Sequence, residues 1–417
     1  MFFNHPQGGC DEGPAYWRQA GGRLIEFLES MDQLFPEAKQ YFASHKLIHL
    51  IGEYSYKMRI TGNWFVNFAD AIPLLTYPPS LLYKYGQLFE DQVMKQYAAF
   101  MMTYVGKGST KEQFLRSMID GAMGGDLNEF WNFVITRKGI EAEKAEAPEA
   151  DLVWLPDIQV FNVRSKKTVA EKARFFLAGK AGSNRKYKVA HFALCCKLFP
   201  LFADESHNHN DVGSFILFQG GHPVLIDIGV GTYTAQTFNS HRYELFYMQS
   251  QYHNCPDING VQQQAGGAFT AHNASLVHSS SSVHFSADIA GAYPKEAHVK
   301  HWTRSLAFDL AANSITLEDK YSLEKHLHPQ AVHFITPHGV KITKTAAGLH
   351  LTGEQINVQM AVDWKVFGEV KEEVKSLGGD HHLTHVWGES VKRFTLHTKD
   401  SHKELSGHFA FKFEAGH

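Results

Sequence analysis

Cysteine is scarce in this 417-residue chain, which has only Cys10, Cys195, Cys196 and Cys255. Four are too few for a disulfide framework, and the adjacent pair cannot easily bridge to itself, so buried free thiols are expected. No apolar stretch is long enough to span a membrane. The start, MFFNHPQGGCDEG, lacks the basic beginning, apolar middle and small-residue cleavage site of a secretory leader. There is no internal repeat. Charge of one sign is not in excess either: 40 Lys and Arg face 43 Asp and Glu, a formal net charge of −3. No nucleic-acid partner is therefore expected, and an anionic polymer would have to be held by a local basic cleft.

The remaining composition, 44% apolar and 20% charged, is that of an ordinary globular protein long enough for two cores. Residues 14 to 135 read as helices. Leu24, Phe27, Leu28 and Met31 recur at helical spacing, as do Leu47, Ile48, Leu50 and Ile51, then Val93, Tyr97, Phe100, Met101 and Tyr104, then Phe114, Leu115 and Met118. These stripes are expected to form core. The segment EAEKAEAPEAD is charged and poor in apolar residues, which suits a solvated connection. From Val153 the period changes to two, in Ile158–Val163, Phe175–Ala178, Tyr187–Leu194, Ser282–Ala287, His301–Phe308, Asn313–Leu317, His333–Thr336, Val358–Val362 and Phe394–His397. The expected fold is α+β: a helical domain over residues 1–138, a linker over 139–152 and a large antiparallel β-sandwich over 153–417.

The densest chemistry lies in Ser206-His207-Asn208-His209-Asn210-Asp211. If a strand begins here, His207 and His209 share one face. Asp227 stands alone in the apolar run Pro223–Gly229, where a carboxylate is costly to bury without cations or donors. His253 follows in Tyr252-His253-Asn254. His209, Asp227 and His253 together form a His2Asp set suited to Zn2+, with His207 left beside it. By spacing alone, two solvated loop histidines and a turn-capping Asp would fit as well. His381, His382 and His385 resemble a metal tag but read as a solvated turn.

The run HNHNDVGSFILFQGGHPVLIDIGVGTY, with the later YHN, resembles the C-terminal β-domain of the heparinase II/III-like polysaccharide lyases. GGCDEGPAYW and YSYKMRITGNWFVNFADA resemble the same family, and the matches run in order from about residue 8 to about 260. The resemblance implies an (α/α) toroid of helical hairpins before the sandwich. It also implies a chain that starts inside that toroid, at an internal methionine or as a fragment, with part of the substrate cleft missing. Carried over by position, it implies a catalytic His207 and a structural zinc on His209, Asp227 and His253.

The implied reaction is β-elimination on a uronate-containing anionic glycan of the heparin or heparan sulfate type. Such chemistry needs groups that neutralise the uronate carboxylate, with a base and an acid at the ring. Tyr56 is the expected catalytic tyrosine and Tyr54 the second choice, since residues two apart cannot share a helix face. Lys57 or Arg59 would depress its pKa. Glu12 matches a position that approaches the substrate carboxylate, although an acid there departs from the Asn or His of some relatives and would equally suit a helix start. Asn63, Asn67 and Trp64 are expected sugar contacts, and Arg242 and Tyr243 are expected to border the cleft. An alginate or other uronan lyase, a zinc-dependent hydrolase and a non-catalytic carbohydrate-binding remnant are the competing expectations. A periplasmic or secreted full-length protein is implied by the resemblance, and homodimerisation is left open.

Overall fold

A computed structural model of the chain describes residues 7–10, 12–35, 37–105, 127–182 and 207–416. The helix expected through Phe114 and Met118, the strand expected over Tyr187–Leu194, and Cys195 and Cys196 lie outside them. The chain divides into two compact units, Met1–Val66 with Ala71–Ala150, and Asn67–Asp70 with Asp151–His417.

The first unit is helical. A π-helical turn at Arg18–Gly22 leads into α1 (Arg23–Leu34), followed by α2 (Ala38–Ala43) and α3 (Lys46–Lys57). Pro79 opens α4 (Pro79–Leu88), where its fixed φ and missing N–H cost nothing. Asp91 caps α5 (Gln92–Met102) by accepting from the Met94 N–H at 3.1 Å. The last helix is α6 (Leu127–Ala142). The α1 stripe is only partly core: Leu28 is buried, whereas Phe27 is 57% exposed. Gly52 in α3 is required by packing, because a Cβ there would lie 2.2 Å from the Tyr85 ring. Between α3 and α4 the chain forms a small hairpin, Arg59–Thr61 with Trp64–Phe65, turning at Gly62 with φ 49°. Asn63 and Trp64 therefore sit on a β-turn and the strand that follows it.

The second unit is built on antiparallel sheets. Among the described residues, one sheet runs in spatial order Lys341–Thr345, Gly348–Thr352, Asn357–Ala361, Ser406–Ala415, Ser314–Leu323, Val299–Asp309, Ser282–Asp288 and His272–His278. A second orders Phe367–Ser376, Ser390–Thr398, Ala331–Pro337 and Pro256–Asp257, and a third orders Leu152–Leu155, Val160–Arg164, Phe175–Lys180, Phe215–Gln219 and His222–Leu225. Their inner faces share one core. Phe161 of the third sheet stacks on Phe285 of the first at 4.5 Å between centroids, and Phe215 lies edge-on to Phe334 of the second at 6.5 Å. Each fully buried aromatic of this kind stabilises the fold by roughly 1.5–3 kcal/mol. His381, His382 and His385 belong to a short helix, α7 (His381–Trp387), capped by the Asp380 carboxylate, rather than to a turn.

The period-2 pattern carries one unexpected pair. In Ser314–Leu323 the inward phase is Ile315, Leu317, Asp319, Tyr321 and Leu323, and in Val299–Asp309 it is Trp302, Arg304, Leu306 and Phe308. Arg304 and Asp319 are thus core positions placed opposite each other in register. The guanidinium meets the carboxylate in a fork, Nε to Oδ1 at 2.8 Å and Nη2 to Oδ2 at 2.6 Å.

Candidate active site

The loop from His207 to Ser214 is not a strand; pairing begins only at Phe215. The two histidines converge for a different reason, because their loop is pinned residue by residue. The Asn210 N–H donates to the Met248 carbonyl, the Val212 N–H to Gln263 Oε1, and the Gly213 N–H to the Lys180 carbonyl. Asp211 is buried against Lys180, whose Nζ lies 2.9 and 3.1 Å from its two carboxylate oxygens.

Asp227 comes just after the strand His222–Leu225, fully buried, as are His209 and His253. Donor atoms of these three side chains lie within 4.8 Å of one another. His253 Nδ1 is 2.9 Å from Asp227 Oδ2, while Asp227 Oδ1 accepts from the Gly229 N–H at 2.9 Å. The remaining ring nitrogens, His209 Nδ1 and His253 Nε2, are buried without a hydrogen-bond partner among the described residues. An unpartnered buried imidazole nitrogen is costly, and two of them beside a buried carboxylate fit a cation. The donor set therefore suits a metal on chemical grounds. Burial outweighs the neighbouring Asp70 and lowers the His209 pKa, keeping the ring in the neutral form that ligates. For His253 burial is opposed and overcome by the charge and hydrogen bond of Asp227, so its pKa rises.

Asp70 organises the other side of this group and was not singled out from the sequence. It belongs with Asn67 to the short segment that packs in the sheet-rich unit. Its side chain is fully buried. Oδ2 lies 2.8 Å from His207 Nδ1 and 3.1 Å from the Tyr233 hydroxyl, and Oδ1 lies 2.9 Å from His209 Nε2 and 2.6 Å from Arg242 Nη2. Burial would raise the Asp70 pKa, but the hydrogen bonds of the two histidines and the charges of His209 and Arg242 hold it well below the usual carboxylate range. A lone acid in an apolar stretch, three residues after an Asn, was the available signal.

Two substrate-contact expectations are corrected here. Asn67 is buried and donates its amide to the Asp227 carbonyl at 2.9 Å. Arg242 is buried too: beyond Asp70, its Nε donates to the Asn208 carbonyl and its Nη1 to the Thr237 carbonyl. Both side chains are spent on positioning the site. Tyr243 lines an open groove of about 500 Å³, with Asn210, Gln249 and Gln262–264.

Asn254 and Arg304 hold the site from behind. The Asn254 amide donates to the Phe215 and Ile226 carbonyls, and its Oδ1 accepts from the Ile335 N–H, joining the segments after His209 and before Asp227 to the second sheet. Arg304 Nη1 donates to the carbonyls of Gly213 and Asn254, at 3.1 and 2.6 Å.

The sequence profile of the family described as Heparinase II/III-like, C-terminal matches residues 177–387, about half of the chain and the stretch that carries all of this geometry except Asn67 and Asp70. The chain belongs to this family. No curated protein matches it in sequence. Among solved structures it is similar to the heparan sulfate lyase HepC from Pedobacter heparinus, with a TM-score of 0.65 and 14% identity over 98% of this chain and 53% of that one. It is also similar to a structure titled heparinase III (TM-score 0.59, 13% identity, 100% of this chain and 56% of that one) and to a Paenibacillus xanthan lyase (0.53, 9%, 98% and 39%). Likeness at these identities speaks of fold, and the chain spans about half the length of the heparinases it matches.

The other expected site residues of this heparinase-like chain lie in its helical unit. Tyr54 is buried and donates its hydroxyl to the Cys10 carbonyl at 3.2 Å, whereas Tyr56, two residues on, is half-buried and edge-on to Tyr97. The expected depression of the Tyr56 pKa does not occur. Burial raises it, and Glu53 and Asp91 raise it further. Lys57 is paired with Glu53 at 2.6 Å, and Arg59 donates to the Pro148 carbonyl. A phenol so placed is held protonated. Glu12 is half-buried, and the N-cap before Pro14–Tyr16 is Gly13, without a side-chain cap. Asn63 and Trp64 are half-buried on the hairpin.

Proposed function

We propose that the chain is a polysaccharide lyase that cleaves a uronate-containing anionic glycan, of the heparin or heparan sulfate type, by β-elimination. One observation carries the reading. In a chain of this family, a solvent-closed His209–Asp227–His253 group shares the Asp70 carboxylate with a more exposed imidazole, His207, whose side chain is 23% exposed.

In the proposed reaction a base removes the C5 proton. The electron pair left behind forms the C4–C5 double bond, the bond from C4 to the glycosidic oxygen breaks, and that oxygen takes a proton from an acid. His207, held through Nδ1, exchanges its proton at Nε2, and Tyr56 is proposed as the tyrosine of the pair, acting as the acid. Zn2+ is the metal proposed on His209, Asp227 and His253, where it would supply a fixed cross-link between their segments. Full burial of the three ligands supports a structural rather than a substrate-facing ion. An α/α toroid for the helical unit, and a periplasmic or secreted setting, belong to the same proposal.

The test is a panel of heparin, heparan sulfate, chondroitin sulfate, hyaluronan and alginate, followed by ultraviolet absorbance. A rise with heparan sulfate or heparin, from the new C4–C5 double bond, is the expected result. A rise with alginate alone would move the substrate class. Cleavage without any rise would replace the lyase by a hydrolase, and binding without cleavage would leave a carbohydrate-binding module.

A further inference from the structure

We infer that Asp70 is a positioning residue that sets the tautomers of His207 and His209 together, tying the acid–base imidazole to the metal-binding group through one carboxylate. This rests on the roles given to those histidines above. Four donor groups converge on its two oxygens: His207 and Tyr233 on Oδ2, His209 and Arg242 on Oδ1. A carboxylate beside a guanidinium is acceptor only, so each imidazole must turn an N–H toward it. His207 is thereby the Nδ1–H tautomer, and proton exchange falls to Nε2. His209 is the Nε2–H tautomer, which leaves the lone pair on Nδ1. That is the atom buried without a hydrogen-bond partner among the described residues.

The local backbone is built for the contact. Ala69, just before Asp70, sits at φ 61°, a left-handed conformation that costs a non-glycine residue about 1 kcal/mol or more and persists only where surrounding contacts enforce it. The Asn67 amide on the Asp227 carbonyl is such a contact, so the same four residues touch the metal-binding group at both ends. Arg242 completes the frame, because its guanidinium joins Asp70 to the carbonyl of Asn208, the residue between the two histidines. Any shift of Asp70 therefore moves both rings.

The experiment uses the full chain labelled with 15N-histidine, with and without added Zn2+, its ring nitrogens read by long-range proton–nitrogen correlation. His207→Ala and His209→Ala spectra assign the signals. The wild type should show His207 protonated on Nδ1 and, with Zn2+, His209 protonated on Nε2. In Asp70→Asn one acceptor oxygen becomes an amide donor, so at least one ring should change tautomer. Metal affinity should fall by about 10–100-fold, the range for loss of a partner behind a ligating histidine. Asp70→Glu, which keeps the acceptors, should restore the tautomers in part, and kcat should respond far more than KM. A wild-type His207 protonated on Nε2, or an Asp70→Asn variant with both tautomers intact, would overturn the inference, and the first of these needs no variant to fold. Should the tautomers behave as stated while no uronate glycan is turned over, the role of Asp70 stands and the lyase reading falls.

Discussion

Replacing His207 with alanine should lower turnover of the glycan by about 10²–10⁴-fold, the usual weight of a positioned proton-transfer group, and leave metal content unchanged. The division follows from where the ring sits. Its Nδ1 touches Asp70, but it is not one of the three side chains whose donor atoms lie within 4.8 Å of one another. After its removal Asp70 still accepts from His209, Arg242 and Tyr233, so the buried carboxylate remains satisfied and the fold should be little disturbed. Kinetics on the best panel substrate and metal analysis of the same preparation check both halves. Loss of metal along with turnover would mean that His207 is a ligand and the roles are wrongly divided.

Arg304→Met is the stability counterpart, with an expected loss of about 3–5 kcal/mol, the range for removing one partner of a buried ion pair. Arg304 and Asp319 are both almost wholly inaccessible, and the guanidinium also takes up the Gly213 and Asn254 carbonyls. Methionine of similar length fills the space and leaves a buried carboxylate and two buried carbonyls without those donors. The denaturant midpoint reads the effect. Changing both partners, Arg304→Met with Asp319→Leu, should recover much of the loss, because no uncompensated charge then remains. A single variant within 1 kcal/mol of wild type would show that the pair does not hold these strands.

Some ladders were legible where one face of a strand is buried, since burial on one side writes an alternating pattern, although Ser406–Ala415, which alternates in the same way, was not singled out. Ser282–Asp288, expected as Ser282–Ala287, and Val299–Asp309, expected as His301–Phe308, were visible in this way. Strands such as Lys341–Thr345, largely solvated, and Phe367–Ser376, charged along most of its length, carry too weak an alternation to be read. The gathering of His209, Asp227 and His253 was legible through the family resemblance: a carboxylate in an apolar run needs partners, but spacing alone fitted two solvated loop histidines and a turn-capping Asp equally well. Asp70, Asn254 and Arg304 were not found, because what they do depends on contacts across the fold. The signal for pairing Arg304 with Asp319 was in the sequence, as each occupies the inward phase of its strand, where a charge requires a counterpart. The Tyr56 environment was misjudged because neighbours in sequence were counted as neighbours in space. Lys57 is taken up by Glu53 and Arg59 by Pro148, leaving the acids to act on the phenol.

The most direct measurement of the central claim, that one buried metal joins the His209 loop, the Asp227 segment and the His253 turn, is elemental analysis of the full chain equilibrated with Zn2+ and freed of excess, paired with its melting temperature. The wild type should retain about one zinc per chain and melt lower once it is chelated, since an ion bound only by the folded state stabilises it. His253→Ala should lose the zinc and the chelator-sensitive stability together. A wild type that retains no zinc, or a His253→Ala chain that keeps it, would contradict the claim.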